Sequence, residues 1–247
     1  MGRRPSAGVS APPTAPCRLP TTLLFSRRQR QRREAENRVV LQRVRIRFCK
    51  QGDLRLIGHR DLARCFERWF RRAGLKLRMS EGYHPKPRIS FPSALAVGIA
   101  GIDEVMEMEL VEPCLAEELH ERLLRHAPPG LSINSVEALP PASPKARVRS
   151  FRYAVPLPDA CRAGLADRID QLAASTSWPI QRPKRQMPID LREWLQELTL
   201  REGVLHMRLL SGSQASAGPR DVLAALGLDG LEEEGVCLTR TAVELQP

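Results

Sequence analysis

The chain has 247 residues, 42% of them hydrophobic, and a formal net charge of +11. Its length is enough for one large domain or two small ones with a substantial core. Because no apolar run approaches the ~18 residues of a membrane span, the sequence excludes a transmembrane protein.

The six cysteines are scattered and show no C-x-x-C pair and no Cys/His spacing typical of a zinc site. The C-x-x-x-C-x-x-C pattern of an iron–sulfur enzyme is also absent. We therefore expect no bound metal and no cofactor. Free thiols are typical of a reducing compartment, so we expect a cytoplasmic protein.

Residues 1–38 hold nine Arg and two Glu and are rich in Pro, Ala and Ser. This composition predicts a disordered arm. It is compatible with an organellar transit peptide or with a basic arm that contacts RNA. The interpretation we favour is a dispensable extension that depends on the choice of start codon.

The excess of positive charge continues into the part expected to fold. Residues 39–88 contain fourteen Lys or Arg and four acids, whereas residues 89–247 contain sixteen and twenty-two. Such asymmetry favours a polyanionic partner. Nucleic acid is the commonest partner of this kind, and phosphate-rich ligands or an acidic protein would also fit.

The first half, residues 39–140, begins with RVRIRF, whose period-two alternation predicts a strand. The following helix has an apolar face made of Leu62, Cys65, Phe66, Trp69 and Ala73. The predicted order is strand, helix, strand, strand, helix, strand, at residues 43–48, 59–73, 75–79, 104–112, 114–127 and 131–139.

The second half, residues 141–247, starts with a linker and repeats this order less clearly. The predicted elements are 151–157, 160–175, 178–191, 204–210, 219–228 and 236–245, and REWLQELTL at 192–200 is ambiguous. The sequence therefore predicts an α+β protein with two tandem ferredoxin-like (βαββαβ) halves after a disordered basic arm.

Four arginines of the first predicted helix recur at every fourth residue and form a ridge opposite its apolar face: Arg60, Arg64, Arg68 and Arg72. Like charges at this spacing destabilise a helix by about 0.2–0.5 kcal/mol per pair. The ridge is either a solvated surface that reaches the acidic strand at 104–112 or a surface that binds a polyanion.

The segment EGYHPKPRISF at 81–91 predicts a stiff, extended loop. Pro85 and Pro87 fix φ and remove two N–H donors. Tyr83 could stack on a base while Lys86 and Arg88 hold phosphates. The alternative is a structural connection with solvated charges.

The predicted nucleic-acid-binding set is Arg55, His59, Arg60, Arg64, Arg68, Arg72, Tyr83, His84, Lys86 and Arg88. As an alternative, His59 and His84 could meet and cleave RNA by acid–base catalysis. A secondary basic loop lies at 182–192 and contributes Arg182, Lys184, Arg185 and Arg192.

The stretches GHRDL at 58–62, ERWFRRAG at 67–74 and EGYHPKPRISF at 81–91 resemble the bacterial radical SAM-linked family, a domain of unknown function. Strong similarity covers residues 43–112, with Gly58 departing from the family pattern. IDLREWLQELTL and GPRDVLAALGL, further along the chain, are similar to the family's second half. The resemblance implies that the chain is the stand-alone form and works with a radical SAM enzyme encoded elsewhere.

We therefore expect an RNA-binding accessory or substrate-presenting protein for a radical SAM enzyme, active in tRNA or rRNA modification and not itself an enzyme. One alternative is a metal-independent endoribonuclease, because tandem ferredoxin-like halves are similar in architecture to CRISPR repeat-processing nucleases. A second alternative is a docking module that binds the radical SAM partner without contacting RNA.

Overall fold

The computed structural model describes residues 2, 42–140, 142–182, 187–212 and 216–247. The predicted basic arm at 1–38 lies outside this description except for Gly2. The elements below belong to one compact unit, Val40–Pro247. Within the described residues the architecture is α+β, with an eight-stranded mixed sheet and four α-helices.

The elements of the first half follow the predicted order closely. They are β1 (Gln42–Lys50), a 3-10 turn (Gly52–Leu56), α1 (His59–Arg72), β2 (Ile89–Ser90), β3 (Ala100–Leu110), α2 (Ala116–Arg125) and β4 (Leu131–Leu139).

The elements of the second half include a small separate ribbon. They are β5 (Val148–Pro156), a 3-10 turn (Asp159–Cys161), α3 (Leu165–Ala174), β6 (Pro179–Ile180), β7 (Ile189–Asp190), a 3-10 turn (Leu191–Glu193), β8 (Leu195–Arg201), β9 (Val204–Leu210), α4 (Pro219–Ala225) and β10 (Thr239–Leu245).

The predicted strand at 75–79 is wrong as a continuous element. This segment touches β3 through an isolated bridge between Leu77 and Leu110, and Met79 then pairs with Pro87. The chain doubles back on itself there, so the second strand of this half is the short β2. The ambiguous stretch at 192–200 becomes a 3-10 turn and the edge strand β8.

The main sheet has the strand order β4-β1-β3-β10-β5-β9-β8, and β2 pairs with the end of β3. All neighbours within each half are antiparallel. The halves join where Ala100 and Gly101 of β3 run parallel to Thr239 and Arg240 of β10. This pairing explains why β3 begins earlier than its acidic pattern predicts.

The alternation of β1 sorts its side chains onto the two faces of the sheet. Val44, Ile46 and Phe48 are buried in one core with α1, which contributes a cluster of apolar side chains: Leu62, Phe66, Trp69 and Phe70. The Trp69 indole N–H donates to the Leu123 carbonyl at 2.9 Å, so α1 is fixed to α2. The arginines of β1 consequently lie on the opposite face of the sheet.

A buried ion pair lies at the junction of the two halves. Arg240 of β10 and Glu104 of β3 are 2% and 3% exposed, and two guanidinium nitrogens donate to the carboxylate. The guanidinium also lies 4.8 Å from the centre of the Phe151 ring. Nearby Lys50 is 1% exposed and donates to the Ile57 carbonyl at 3.1 Å. Burial lowers the pKa of Lys50.

Candidate nucleic-acid interface

The arginine ridge of α1 is a solvent-exposed surface. Arg60, Arg64, Arg68 and Arg72 are all exposed. Arg64 forms an ion pair with Asp61 at 3.3 Å, in which both side chains are open to solvent. Within the described part of the chain, the other three arginines have no carboxylate partner.

The position of the ridge follows from the packing of α1. The helix begins at His59, directly after Gly58, and its apolar side chains face β1, so residues spaced by four on the other side must face outward. At 1.5 Å per residue the ridge is about 18 Å long. Its three like-charged pairs cost on the order of 1 kcal/mol in helix stability. An unfavourable charge row in which three of four arginines lack an acid partner among the described residues is more typical of a binding surface than of a stabilising one.

The proline segment forms a hairpin, which we call the Tyr83 hairpin and define as residues 78–88. The Ser80 N–H donates to the Lys86 carbonyl and the Arg88 N–H to the Arg78 carbonyl, both at 2.7 Å. The Lys86 N–H also donates to the Ser80 hydroxyl at 2.9 Å. Its base is fixed to β3, because the Arg78 N–H donates to the Glu109 carbonyl at 2.8 Å.

The tip of the Tyr83 hairpin presents side chains to solvent. Tyr83 is 96% exposed, and His84 and Lys86 are exposed beside it. Gly82 has φ of 119°, a backbone conformation that side-chain-bearing residues rarely adopt. Pro85 and Pro87 are half-buried and restrict the returning arm of the hairpin. An aromatic ring is therefore held on a stiff support with almost no contact to the rest of the protein.

The two histidines of the nuclease hypothesis lie in different surroundings. Both side chains are exposed, but His59 packs edge-on against Phe91, with ring centres 5.1 Å apart, whereas His84 lies on the Tyr83 hairpin. Within the described residues, no hydrogen bond or ring contact joins the two imidazoles. The His59–His84 acid–base pair therefore stays a prediction, and this geometry provides no direct route for a proton between them.

Arg55 lies in the 3-10 turn before α1 and is half-buried. Its carbonyl accepts a hydrogen bond from the Gly98 N–H at 2.9 Å. The backbone of this residue therefore ties the turn to the segment that leads into β3.

A second group of arginines, on the open face of the sheet, is paired with acids. Arg43 and Arg45 both reach Glu107 at 2.9 Å, Arg47 reaches Asp103 at 2.5 Å, and Arg78 reaches Glu109 at 3.1 Å. Sequence reasoning counted these cations in the excess positive charge of residues 39–88 but did not include them in the predicted binding set. The signal it missed was the alternation of acids in β3, which places carboxylates across from alternating arginines in β1.

The secondary basic loop holds the second half together. Arg182 donates to the Asp221 carboxylate and, at 3.0 Å, to the Ser216 carbonyl. Arg192 donates to the Ser175 carbonyl at 3.1 Å. Lys184 and Arg185 lie outside the described residues. The two described arginines are thus occupied by internal contacts, unlike those of the ridge.

Two further observations limit the kinds of site that the described residues form. No cluster of three or more His, Cys, Asp or Glu side chains in this part of the chain is arranged to hold a metal ion. None of the described helices combines the length and the apolar character needed to cross a bilayer.

Comparison with known proteins gives a family but no assigned activity. A search of curated proteins found no match. The family model DUF2344, described as an uncharacterized protein conserved in bacteria, matches residues 43–219. That match includes both the ridge and the Tyr83 hairpin and covers most of the chain. The chain therefore belongs to the DUF2344 family of uncharacterized proteins conserved in bacteria.

Proposed function

We propose that this protein binds RNA and presents it to a separate radical SAM enzyme, with tRNA or rRNA as the substrate to be modified. The partner is suggested by the resemblance of the motifs at 58–62, 67–74 and 81–91 to the radical SAM-linked family. RNA is suggested by the distribution of unpaired positive charge. The protein supplies recognition, and the partner supplies the chemistry.

The observation that carries the proposal is that three of the four arginines of the α1 ridge have no carboxylate partner among the described residues. Positive charges that bind phosphates must be free to exchange their counterions for the nucleic acid backbone. Arg60, Arg68 and Arg72 meet this condition among the described residues, whereas Arg43 and Arg45 share Glu107. The ridge therefore supports electrostatic binding in a way that the total charge alone does not.

The Tyr83 hairpin would add a contact to bases. An exposed tyrosine on a rigid support can stack on an unpaired base without losing much conformational freedom. His84, Lys86 and Arg88 lie on the same hairpin and would contact the neighbouring phosphates. This combination fits a single-stranded loop or a splayed base better than an uninterrupted duplex.

We also infer that the scaffold consists of two tandem ferredoxin-like halves. The order β4-β1-β3-β2 in the first half corresponds to β10-β5-β9-β8 in the second. We also propose a cytoplasmic location, which is supported by five free cysteines among the described residues: Cys49, Cys65, Cys114, Cys161 and Cys237.

RNA binding is tested by filter binding of the full chain to total tRNA and to rRNA fragments over a series of salt concentrations. We expect log K to fall linearly and steeply with log salt, because each phosphate contact releases a counterion. Absence of RNA binding at ~50 mM salt would contradict the proposal.

The docking-module alternative is separated by co-purification. The chain is co-expressed with the radical SAM protein, treated with nuclease and isolated through a tag. A complex that survives nuclease, together with no RNA affinity of the chain alone, would favour direct docking. A complex that forms only when RNA is present would support the presenting role.

A further inference from the structure

A cavity of about 320 Å³ lies beside the returning arm of the Tyr83 hairpin, on the sheet face that carries the paired arginines. Its lining includes charged residues from four segments and two serines: Arg43, Arg88, Glu107, Glu109 and Lys145, with Ser80 and Ser90. The volume is at the lower end of the range for small-molecule sites, about 300–1,000 Å³. It has room for one charged group and part of the molecule attached to it.

The charges around this cavity do not balance. Glu107 is shared by Arg43 and Arg45, and Glu109 is shared by Arg78 at 3.1 Å and Arg88 at 4.0 Å. Glu137 reaches Arg45 at 3.8 Å from an exposed position. With Lys145 included, the lining residues and the ion pairs connected to them therefore contain five cations and three carboxylates. Two positive charges remain uncompensated at a surface that is partly removed from water.

The uncompensated cations are the ones best placed to contact a ligand. Arg88 has a weak contact with Glu109 at 4.0 Å and otherwise keeps its guanidinium donors free among the described residues. Lys145 is exposed and has no partner in the described part of the chain. The Ser90 side chain is also exposed and adds a hydroxyl. Nε of Arg78, nearby in the same charge network, is buried without a hydrogen-bond partner.

We propose that this cavity binds a phosphate monoester. Such a group carries a charge of about −1.5 to −2 at pH 7, which matches the excess of two positive charges. It also offers three acceptor oxygens, enough for a guanidinium, an ammonium and a hydroxyl together. A phosphodiester has a single charge and would leave part of the excess uncompensated.

Two sources of this group are distinguished by the test: a free nucleotide and the phosphorylated end of an RNA chain. In the second case the site would read an RNA terminus next to the base-stacking Tyr83, and the inference would then rest on the proposed function. In the first case the cavity would bind a nucleotide independently of RNA. Both cases require the same contacts from Arg88 and Lys145.

The test is isothermal titration calorimetry on the full chain. One arm compares adenosine 5′-monophosphate with adenosine, and the other compares a short single-stranded RNA carrying a 5′-phosphate with the same RNA carrying a 5′-hydroxyl. We expect at least one phosphorylated ligand to bind at least about tenfold more tightly than its hydroxyl counterpart. A preference in the first arm alone identifies a free nucleotide, and one in the second arm alone identifies an RNA end.

Variants connect the preference to the cavity. Arg88→Gln and Lys145→Gln should each weaken the phosphorylated ligand about tenfold. Lys76→Gln is the matched control, because Lys76 is an exposed cation already paired with Glu112 at 2.6 Å, and it should change nothing. Unchanged melting temperatures establish that each variant is folded.

The inference is overturned if neither phosphorylated ligand exceeds its hydroxyl counterpart, or if folded Arg88→Gln and Lys145→Gln proteins both keep full affinity. Salt-dependent RNA binding without any preference for a phosphorylated ligand would refute the phosphate pocket and leave the proposed function standing. A phosphate preference without general RNA affinity would support the phosphate pocket and contradict the proposed function.

Discussion

The arginines of α1 and those of the sheet belong to the same basic part of the sequence but have different surroundings. On β1, Arg43, Arg45 and Arg47 lie across from acids of β3 and pair with them. On α1, the ridge faces solvent and is almost without acid partners. The number of cations in a segment is therefore a poorer guide to phosphate binding than whether carboxylates lie across from those cations.

The energetic consequences of the two arrangements are opposite. A paired, half-buried arginine supports the fold and is not readily available to a phosphate, because its existing contact would have to be broken. An unpaired row of arginines destabilises its own helix by repulsion. We therefore expect substitutions in the sheet to change stability, and substitutions in the ridge to change RNA affinity.

The largest effect is expected for the most buried sheet arginine. Arg240→Met leaves Glu104 buried without its partner and should lower the free energy of unfolding by about 3–5 kcal/mol. Urea denaturation monitored by circular dichroism measures the loss. The double variant Glu104→Leu/Arg240→Met, which removes both charges, should recover most of it. A loss below ~1 kcal/mol would mean that this pair does not hold the halves together.

A smaller effect, on binding alone, is expected at the hairpin tip. Tyr83→Ala should weaken binding of single-stranded RNA by about 1–3 kcal/mol, because a stacked base loses its platform. Tyr83→Phe keeps the ring and should bind normally. Filter binding gives both affinities, and the melting temperature should not change because Tyr83 is 96% exposed. Equal weakening by both variants would show that the hydroxyl, not stacking, is what matters.

A further paired group in the sheet should be visible in the pH dependence of stability. Burial raises the pKa of Glu244, but hydrogen bonds from Ser150, Arg152 and Arg208 outweigh this and lower it from 4.5 to about 2. Because the folded pKa is depressed, its stabilisation is complete above pH 4.5 and is lost as the pH falls toward 2.

Acid titration of the unfolding free energy measures this contribution. Glu244→Gln cannot titrate and should show a shallower decline between pH 5 and 2 than the wild-type chain. Identical slopes for the two proteins would mean that other carboxylates account for the acid sensitivity.

The smallest effect contrasts stability with binding on the ridge itself. Arg68→Glu converts two repulsive pairs, with Arg64 and Arg72, into attractive ones and should stabilise the protein by about 0.8–2 kcal/mol. The same change should weaken RNA binding, because it removes one cation and adds an anion. Thermal unfolding and filter binding on one preparation measure both. A variant that is less stable than the wild type, or that binds RNA equally well, would contradict the claim that the ridge arginines bind RNA at a cost in helix stability.

The parts of the fold with strong local periodicity could be predicted from the sequence. The alternation in β1 and the three- and four-residue spacing in α1 placed both elements almost at their observed bounds. The parallel join between β3 and β10 could not be found, because it pairs Ala100 with Thr239, far apart in the chain, and leaves no local pattern. The β8 strand was ambiguous because its sequence fits neither period well.

The same limit applies to the candidate site. The exposure of the ridge follows from its spacing, but the segment around Pro85 and Pro87 was predicted as an extended loop and instead pairs with residues 78–80 as a hairpin. The internal role of Arg182 could not be predicted, because its partner Asp221 lies on a different element. Likewise, the pairing of Arg43 and Arg45 with Glu107 depends on strand register, which is a tertiary property.

The measurement that tests the central claim most directly compares two pairs of helical arginines by the salt dependence of RNA binding. Arg68→Gln/Arg72→Gln removes two ridge cations that have no carboxylate partner among the described residues. The control, Arg122→Gln/Arg125→Gln, removes two arginines of α2 that are paired with Glu118 at 2.7 Å and Glu121 at 3.3 Å. Both variants retain residues 1–41, so the charge of that segment cancels in the comparison.

We predict that the ridge variant weakens binding and reduces the slope of log K against log salt by about 1.4–1.8, which corresponds to two lost phosphate contacts. The α2 variant should keep the wild-type slope. Equal changes in affinity and slope for the two variants would contradict the account, because they would show that RNA binding depends on the net charge of the protein rather than on its unpaired arginines.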